Sequence, residues 1–167
     1  MKLREMLLIG LLAGCVGCNS TTDTKAQDEA AIKALAASFD TAFKAKDVDA
    51  IMTHYVPDQT LVAFDVVPPR QYAGAAAYRK DWEDTFAMFP GPVDDTVTEL
   101  DVTVGGDVAF SHCIQHVSFT DKDGKKSELT VRITDGYKKI NGQWLIVHEH
   151  VSIPVDLTTL KPDLDSK

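Results

Sequence analysis

The side chains of this chain best suited to chemistry are a set of histidines, one aspartate and one arginine. Four of the five histidines, His112, His116, His148 and His150, fall in the last third of the sequence, where apolar and polar residues alternate. Alternate residues of a strand share a face. His112, Ile114, His116 and Ser118 therefore point one way, and Trp144, Ile146, His148, His150 and Ser152 share a face on a later strand. Leu145, Val147, Glu149 and Val151 fall opposite. If the Trp/His faces turn inward, several imidazoles line one pocket, with His148 and His150 as catalytic candidates and His112 and His116 as ligand contacts. His148 and His150 lie about 7 Å apart along the strand and are able to reach one ion, whereas His112 and His116, about 13 Å apart, are not. No Cys/His/Asp spacing matches a closed zinc site, so neither a metal nor another cofactor is expected.

Asp65 ends a β-rich segment just before Pro68-Pro69. A partly desolvated carboxylate at a pocket mouth has a raised pKa and serves as a general base; a solvated strand end is the plainer reading. Arg132 sits between Val131 and Ile133. Facing inward it would clamp an anion, because a buried guanidinium needs a partner; facing outward it meets solvent, and paired with Asp65 it would be structural. Tyr72 offers a phenol to a ligand. Trp82 belongs to a helical stripe with Tyr78 and Phe86, which reads as core with Trp82 as its ligand-facing candidate. Cys113, inside a strand pattern, reads as a buried thiol rather than a nucleophile. There is no G-x-S-x-G elbow, and Gly105-Gly106 joins two strands rather than opening a phosphate-binding helix.

The elements that must position these residues follow from periodicity. Ile32, Leu35, Phe39, Ala42 and Phe43 recur at helical spacing, and a short second helix follows Asp47 as its cap. Residues 60–67 read as a strand closed by prolines. A third helix runs from Gly74 to about Phe89, where Pro90-Gly91-Pro92 stops it. The period then becomes twofold over 93–104, 108–120, 127–140 and 143–155, with Asn141-Gly142 a two-residue hairpin signal. The expected fold class is α+β: three N-terminal helices packed on one face of an antiparallel sheet.

The chain begins with Lys2 and Arg4, an apolar run over 6–12, and then Leu12-Ala13-Gly14-Cys15. That run is too short to span a bilayer, which takes roughly 20 apolar residues, and has the layout of an export signal. Small residues ending on Cys15 resemble the lipobox of bacterial lipoproteins. The resemblance implies a signal over 1–14, acylation of Cys15, a tether over 15–27, the domain over 28–156 and a polar tail over 157–167. It further implies an exported, membrane-anchored location, with Val16 favouring the outer membrane. The formal net charge is −8 over 167 residues, which excludes the basic footprint of a nucleic-acid binder and leaves membrane attachment to the lipid.

Several segments together resemble the SnoaL-like, ketosteroid-isomerase-like members of the nuclear transport factor 2-like superfamily. They are Phe64-Asp65-Val66-Val67-Pro68-Pro69, Tyr78-Arg79-Lys80-Asp81-Trp82, Phe89-Pro90-Gly91-Pro92 and the run from Gly142 to Ser152. The resemblance implies a curved sheet wrapped around helices into a cone, with an apolar pocket for a small molecule. In the isomerase-like case Asp65 would be the base and His112, His148, His150 or Tyr72 the oxyanion donors. In the alternative case the chain is a non-catalytic homodimeric module joined through the outer sheet face, with Leu145, Val147 and Val151 supplying the contact.

Overall fold

Helix α1 (Ser20–Ala45) opens the part of the chain that this computed structural model describes, residues 20–165. Cys15 and the signal segment lie outside the described residues. The helix buries the stripe read from the sequence, with Ile32, Ala42 and Phe43 at its centre and Leu35 and Phe39 packed beside them. It starts at Ser20, so the stretch expected as a tether is helical from that residue on. Asp28 fastens it to the sheet: Lys139 Nζ and Trp144 Nε1 both donate to its Oδ1, at 2.6 and 3.0 Å.

Helix α2 (Val48–Met52) is capped by Asp47, whose carboxylate accepts the Ala50 N–H at 2.9 Å. Strand β1 (Val62–Phe64), strand β2 (Tyr72–Ala73) and helix α3 (Ala75–Met88) follow. The long strands are β3 (Val93–Gly105), β4 (Val108–Thr120), β5 (Lys126–Ile140) and β6 (Gln143–Ser152). They form one six-stranded sheet in the order β2-β1-β6-β5-β4-β3, in which only β1 and β6 run parallel. The sheet is therefore mixed rather than wholly antiparallel. Asn141 and Gly142 both take positive φ, as the hairpin requires. β1 is shorter than the β-rich run 60–67 because the chain leaves the sheet at Asp65.

The described part of the polar tail, residues 157–165, is tied back by backbone hydrogen bonds. β7 (Val155–Asp156) pairs with β8 (Lys161–Pro162), and the Leu164 carbonyl accepts the Thr130 N–H at 2.8 Å on the β5 edge beyond the end of β6. A polar composition hid backbone hydrogen bonds that only the tertiary arrangement offers.

Two irregularities bend the sheet. In β3 the register shifts between Thr98 and Asp101, with Glu99 at positive φ. In β6 it shifts between Ile146 and His148, which leaves Val147 as an extra residue against Gly136–Tyr137. Each extra residue reverses which side chains face inward beyond it.

The turn after α3 is a tight crossing. Lys46 Nζ donates to the carbonyls of Phe89 and Gly91, and the Gly91 N–H donates to Thr120 O. A Cβ on Gly91 would stand 2.7 Å from Thr120 Cβ and 2.8 Å from its carbonyl oxygen. Gly91→Ala is expected to cost about 2 kcal/mol, measured as a fall in melting temperature of roughly 5 °C.

Candidate functional site

Between the helices and the concave sheet face lies a cavity of about 990 Å³. Its walls are aromatic and aliphatic: Phe39 and Phe43 from α1, Trp82 from α3, and Phe119 and Leu129 from the sheet. Part of its rim is apolar and open to solvent, with Val67 45 % and Met88 66 % exposed. The Trp82 indole N–H is buried without a partner, a free donor in the wall.

One region of this cavity is rich in carboxyl groups. Asp135 on β5 and Glu149 on β6 are register partners on the inner face. Glu149 is 5 % exposed and accepts two phenols, Tyr55 from the segment after α2 at 2.5 Å and Tyr78 from α3. Burial pushes its pKa up, and the two phenolic bonds pull it back. Asp135 accepts one longer bond, from Tyr137 Oη at 3.1 Å, while Tyr137 Oη and Ser111 Oγ lie 2.9 Å apart. Burial first and the Glu149 charge second hold the Asp135 pKa well above the carboxylate range. Two carboxylates this close do not both ionise. The better-supported Glu149 takes the charge and Asp135 keeps the proton. Asp135 Oδ1 has no partner within the protein.

Asp65 completes the group. Its carboxylate accepts the Val66 N–H, and its pKa is raised to about 7 by burial, then by the Glu149 charge, then by Asp81. Asp81 on α3 in turn accepts the Tyr72 hydroxyl at 2.6 Å. Asp65, Tyr72 and Trp82, all singled out in the sequence, thus meet at one cavity.

The histidines and Arg132 do not. His148 and His150 lie beyond the β6 bulge, which turns Glu149 and Val151 inward in their place. On the outer face they pack against Phe64, and His148 Nδ1 stands 2.8 Å from Val62 O. His112 and His116 are exposed because the inner face of β4 carries Ser111, Cys113, Gln115 and Val117. Arg132 is exposed on the outer face of β5, away from Asp65. Val151 lines the cavity, while Leu145 and Val147 pack against the core, so none of the three forms an open docking face. Cys113 is a buried thiol whose pKa burial pushes up to about 12, which leaves it un-ionised at neutral pH. Among the described residues no cluster of three or more His, Cys, Asp or Glu is arranged to hold a metal, and no helix is long and apolar enough to cross a membrane.

Glu149, Asp135, Tyr55 and Tyr78 are site residues that sequence reasoning passed over. Asp135 was accessible to it: Val131, Ile133, Asp135 and Tyr137 share one face at period two, and an acid among apolar neighbours marks a buried carboxyl.

This arrangement fixes how stability responds to pH. Asp65 binds its proton near pH 7 in the folded chain and near 3.8 when unfolded. Between those values the folded state holds more protons, so stability falls as pH rises from about 4 to 7. The full shift corresponds to about 4 kcal/mol, and partial exposure discounts it to roughly 2 kcal/mol. The melting temperature is expected to be about 5 °C higher at pH 5 than at pH 8, read by thermal unfolding.

Known proteins agree with this architecture. An NTF2-like protein of unknown function from Pseudomonas putida is 32% identical, with a TM-score of 0.77 over 85% of this chain and 97% of that one. A ketosteroid isomerase-like protein from Erwinia carotovora atroseptica is 21% identical, with a TM-score of 0.65 over 75% of this chain and 95% of its own. A nuclear transport factor 2 superfamily protein from Salmonella enterica serovar Typhimurium is 18% identical, with a TM-score of 0.68 over 83% of this chain and 96% of its own. No curated protein matches the sequence significantly. Residues 32–156 match the SnoaL-like domain family over most of the chain's length. With its helices in the hollow of a bent mixed sheet, the chain belongs to the SnoaL-like family of the nuclear transport factor 2-like superfamily.

Proposed function

We propose that this protein is an exported, lipid-anchored pocket protein that binds a small apolar molecule bearing a carbonyl group and moves a proton beside that carbonyl. The observation that carries the reading is that Asp65 and Asp135 line one apolar cavity, with Asp135 Oδ1 unpartnered and burial raising the pKa of both carboxyls. An ionised Asp65 takes a proton from the carbon next to the carbonyl. The C–H electrons move into a carbon–carbon double bond and leave the charge on oxygen. Asp135, protonated and with Oδ1 free, donates to that oxygen as it becomes negative. Return of the proton to another carbon gives an isomer; loss of a β-hydroxyl as water gives a dehydration product. The apolar wall keeps bulk water from the enolate. The histidines have no part in this scheme.

Cys15 supplies the anchor in this reading and the −8 chain faces the exported side of a membrane, with the outer membrane favoured. A second reading, a non-catalytic homodimeric module, draws on Val108, Phe110 and Ile140, which are 54, 48 and 40 % exposed. Calorimetric titration with 2-decalone and with decalin tests the first. The ketone is expected to bind at least tenfold more tightly, about 1.4 kcal/mol or more, and Asp135→Leu to erase that difference. Equal affinity for ketone and hydrocarbon, or binding of neither, overturns the carbonyl reading and leaves the module.

A further inference from the structure

A base that takes a proton from carbon must also give it up, and the surroundings of Asp65 offer few outlets. The Val66 N–H occupies its Oδ1. Glu149, whose charge it feels, is buried, and Tyr78 and Tyr55 take one of its oxygens each. Asp81 on α3 is placed differently. It lines the same cavity, lies within hydrogen-bond reach of the Asp65 carboxyl and is half-buried rather than enclosed. Lys80 beside it and Asp84 one turn further along α3 are exposed. Residues three apart on a helix are neighbours on its surface. Asp81 therefore joins the inner carboxyl to the solvated face of α3.

Tyr72 fixes that link. Its hydroxyl donates to Asp81 Oδ1 at 2.6 Å, with Pro68 O at 3.1 Å as a second acceptor. Burial first and the bond to Asp81 second push the Tyr72 pKa up, so the phenol keeps its proton and serves as a holder. With Oδ1 engaged, Oδ2 is the atom left to exchange a proton with Asp65. Neighbouring cations do not neutralise the pair. Both oxygens of Asp84 hold Lys80 at 2.8 Å, and Arg79 donates to Asp49 at 2.7 Å. Two carboxyls so placed hold one proton between them more readily than two charges. A proton arriving on Asp65 therefore has an ionised acceptor beside it.

We infer that Asp81 is a positioning residue that passes to solvent the proton Asp65 takes from the ligand, with Tyr72 holding it in place. As the ligand C–H bond breaks, an O–H bond forms on Asp65. That proton moves to Asp81 Oδ2 and from there to a water at the rim, which restores both carboxylates. The reverse path returns a proton from solvent to the enolate carbon. The inference rests on the pocket reading above and assigns the route by which its base is regenerated.

The test is exchange of the α-protons of 2-decalone into deuterated solvent at pH 8, compared in the full chain, in Asp81→Ala and in Asp65→Asn. Pro68 O remains as an acceptor for Tyr72 in Asp81→Ala. The rate is expected to fall about 10²-fold in Asp81→Ala, the low end of what a positioned proton-transfer group contributes, with calorimetric ketone affinity changed little. Sodium formate, a carboxylate small enough for the vacated place, should then raise the rate about tenfold. Sodium chloride, which supplies charge but accepts no proton, should not. An unchanged rate in Asp81→Ala overturns the inference, as does no recovery with formate or equal recovery with chloride. Each of these leaves the carbonyl reading standing as long as Asp65→Asn is slow. In the unsubstituted chain the rate should be independent of formate. A rate that climbs with formate there means that protons leave Asp65 without Asp81, and it overturns the inference even if Asp81→Ala fails to fold. No catalysed exchange in the unsubstituted chain overturns the pocket reading and this inference together.

Discussion

Exchange of the α-protons of 2-decalone into deuterated solvent is expected to fall by about 10²- to 10⁴-fold in Asp65→Asn, the usual worth of a positioned general base. That corresponds to about 3–5 kcal/mol of barrier. The substituted side chain is nearly isosteric with the protonated carboxyl, so ketone affinity should change little. In the parent the exchange rate should rise with pH and level off above about 7, because only the ionised carboxyl accepts a proton and its pKa is held there by burial and by Glu149. The same substitution should flatten the fall in stability between pH 4 and 7, since an amide does not titrate. A merely structural Asp65 predicts the second effect without the first. Nuclear magnetic resonance of the exchanging ketone separates the two: an unchanged rate in Asp65→Asn removes the base from the mechanism.

Much of the fold was legible in the sequence because the signals were local. The α1 stripe, the Asp47 cap, the Pro90-Gly91-Pro92 stop and the Asn141-Gly142 hairpin each depend on neighbours in the chain. The position of Asp65 was legible too, since it ends a β-rich run shortly before two prolines, where the chain leaves the sheet. The histidine face was misread for one physical reason. A period of two holds only while the ladder is regular, and Val147 breaks it. Nothing local distinguishes Val147 from Leu145 or Val151; the break answers the paired register with β5, around Gly136. One unpaired residue moved His148 and His150 to the outer face and brought Glu149 inward, which exchanged the expected imidazoles for a carboxylate. The parallel pairing of β1 with β6 was invisible for a related reason, because it joins segments more than eighty residues apart.

Glu149 is the residue through which stability and chemistry are joined, and Glu149→Leu should reveal both. Tyr55 and Tyr78 are 1 % and 0 % exposed, and both hydroxyls donate to this carboxyl. A leucine leaves two buried donors without acceptors, each costing about 1–3 kcal/mol, so the expected loss is about 4 kcal/mol, or a fall in melting temperature of roughly 12 °C. The loss should be larger at pH 5 than at pH 8. The raised pKa of Glu149 means that the parent already carries the cost of a buried charge at high pH, and leucine removes that cost. Adding Tyr55→Phe and Tyr78→Phe to Glu149→Leu should recover at least half of the loss, because the orphaned hydroxyls leave with their acceptor; additive losses would contradict this. The chemistry should shift as well. Without the Glu149 charge the Asp65 pKa falls, and the pH at which α-proton exchange levels off should move down with it. A profile that stays near 7 would mean that burial alone sets the base, and that Glu149 serves only to hold Tyr55 and Tyr78 in the core.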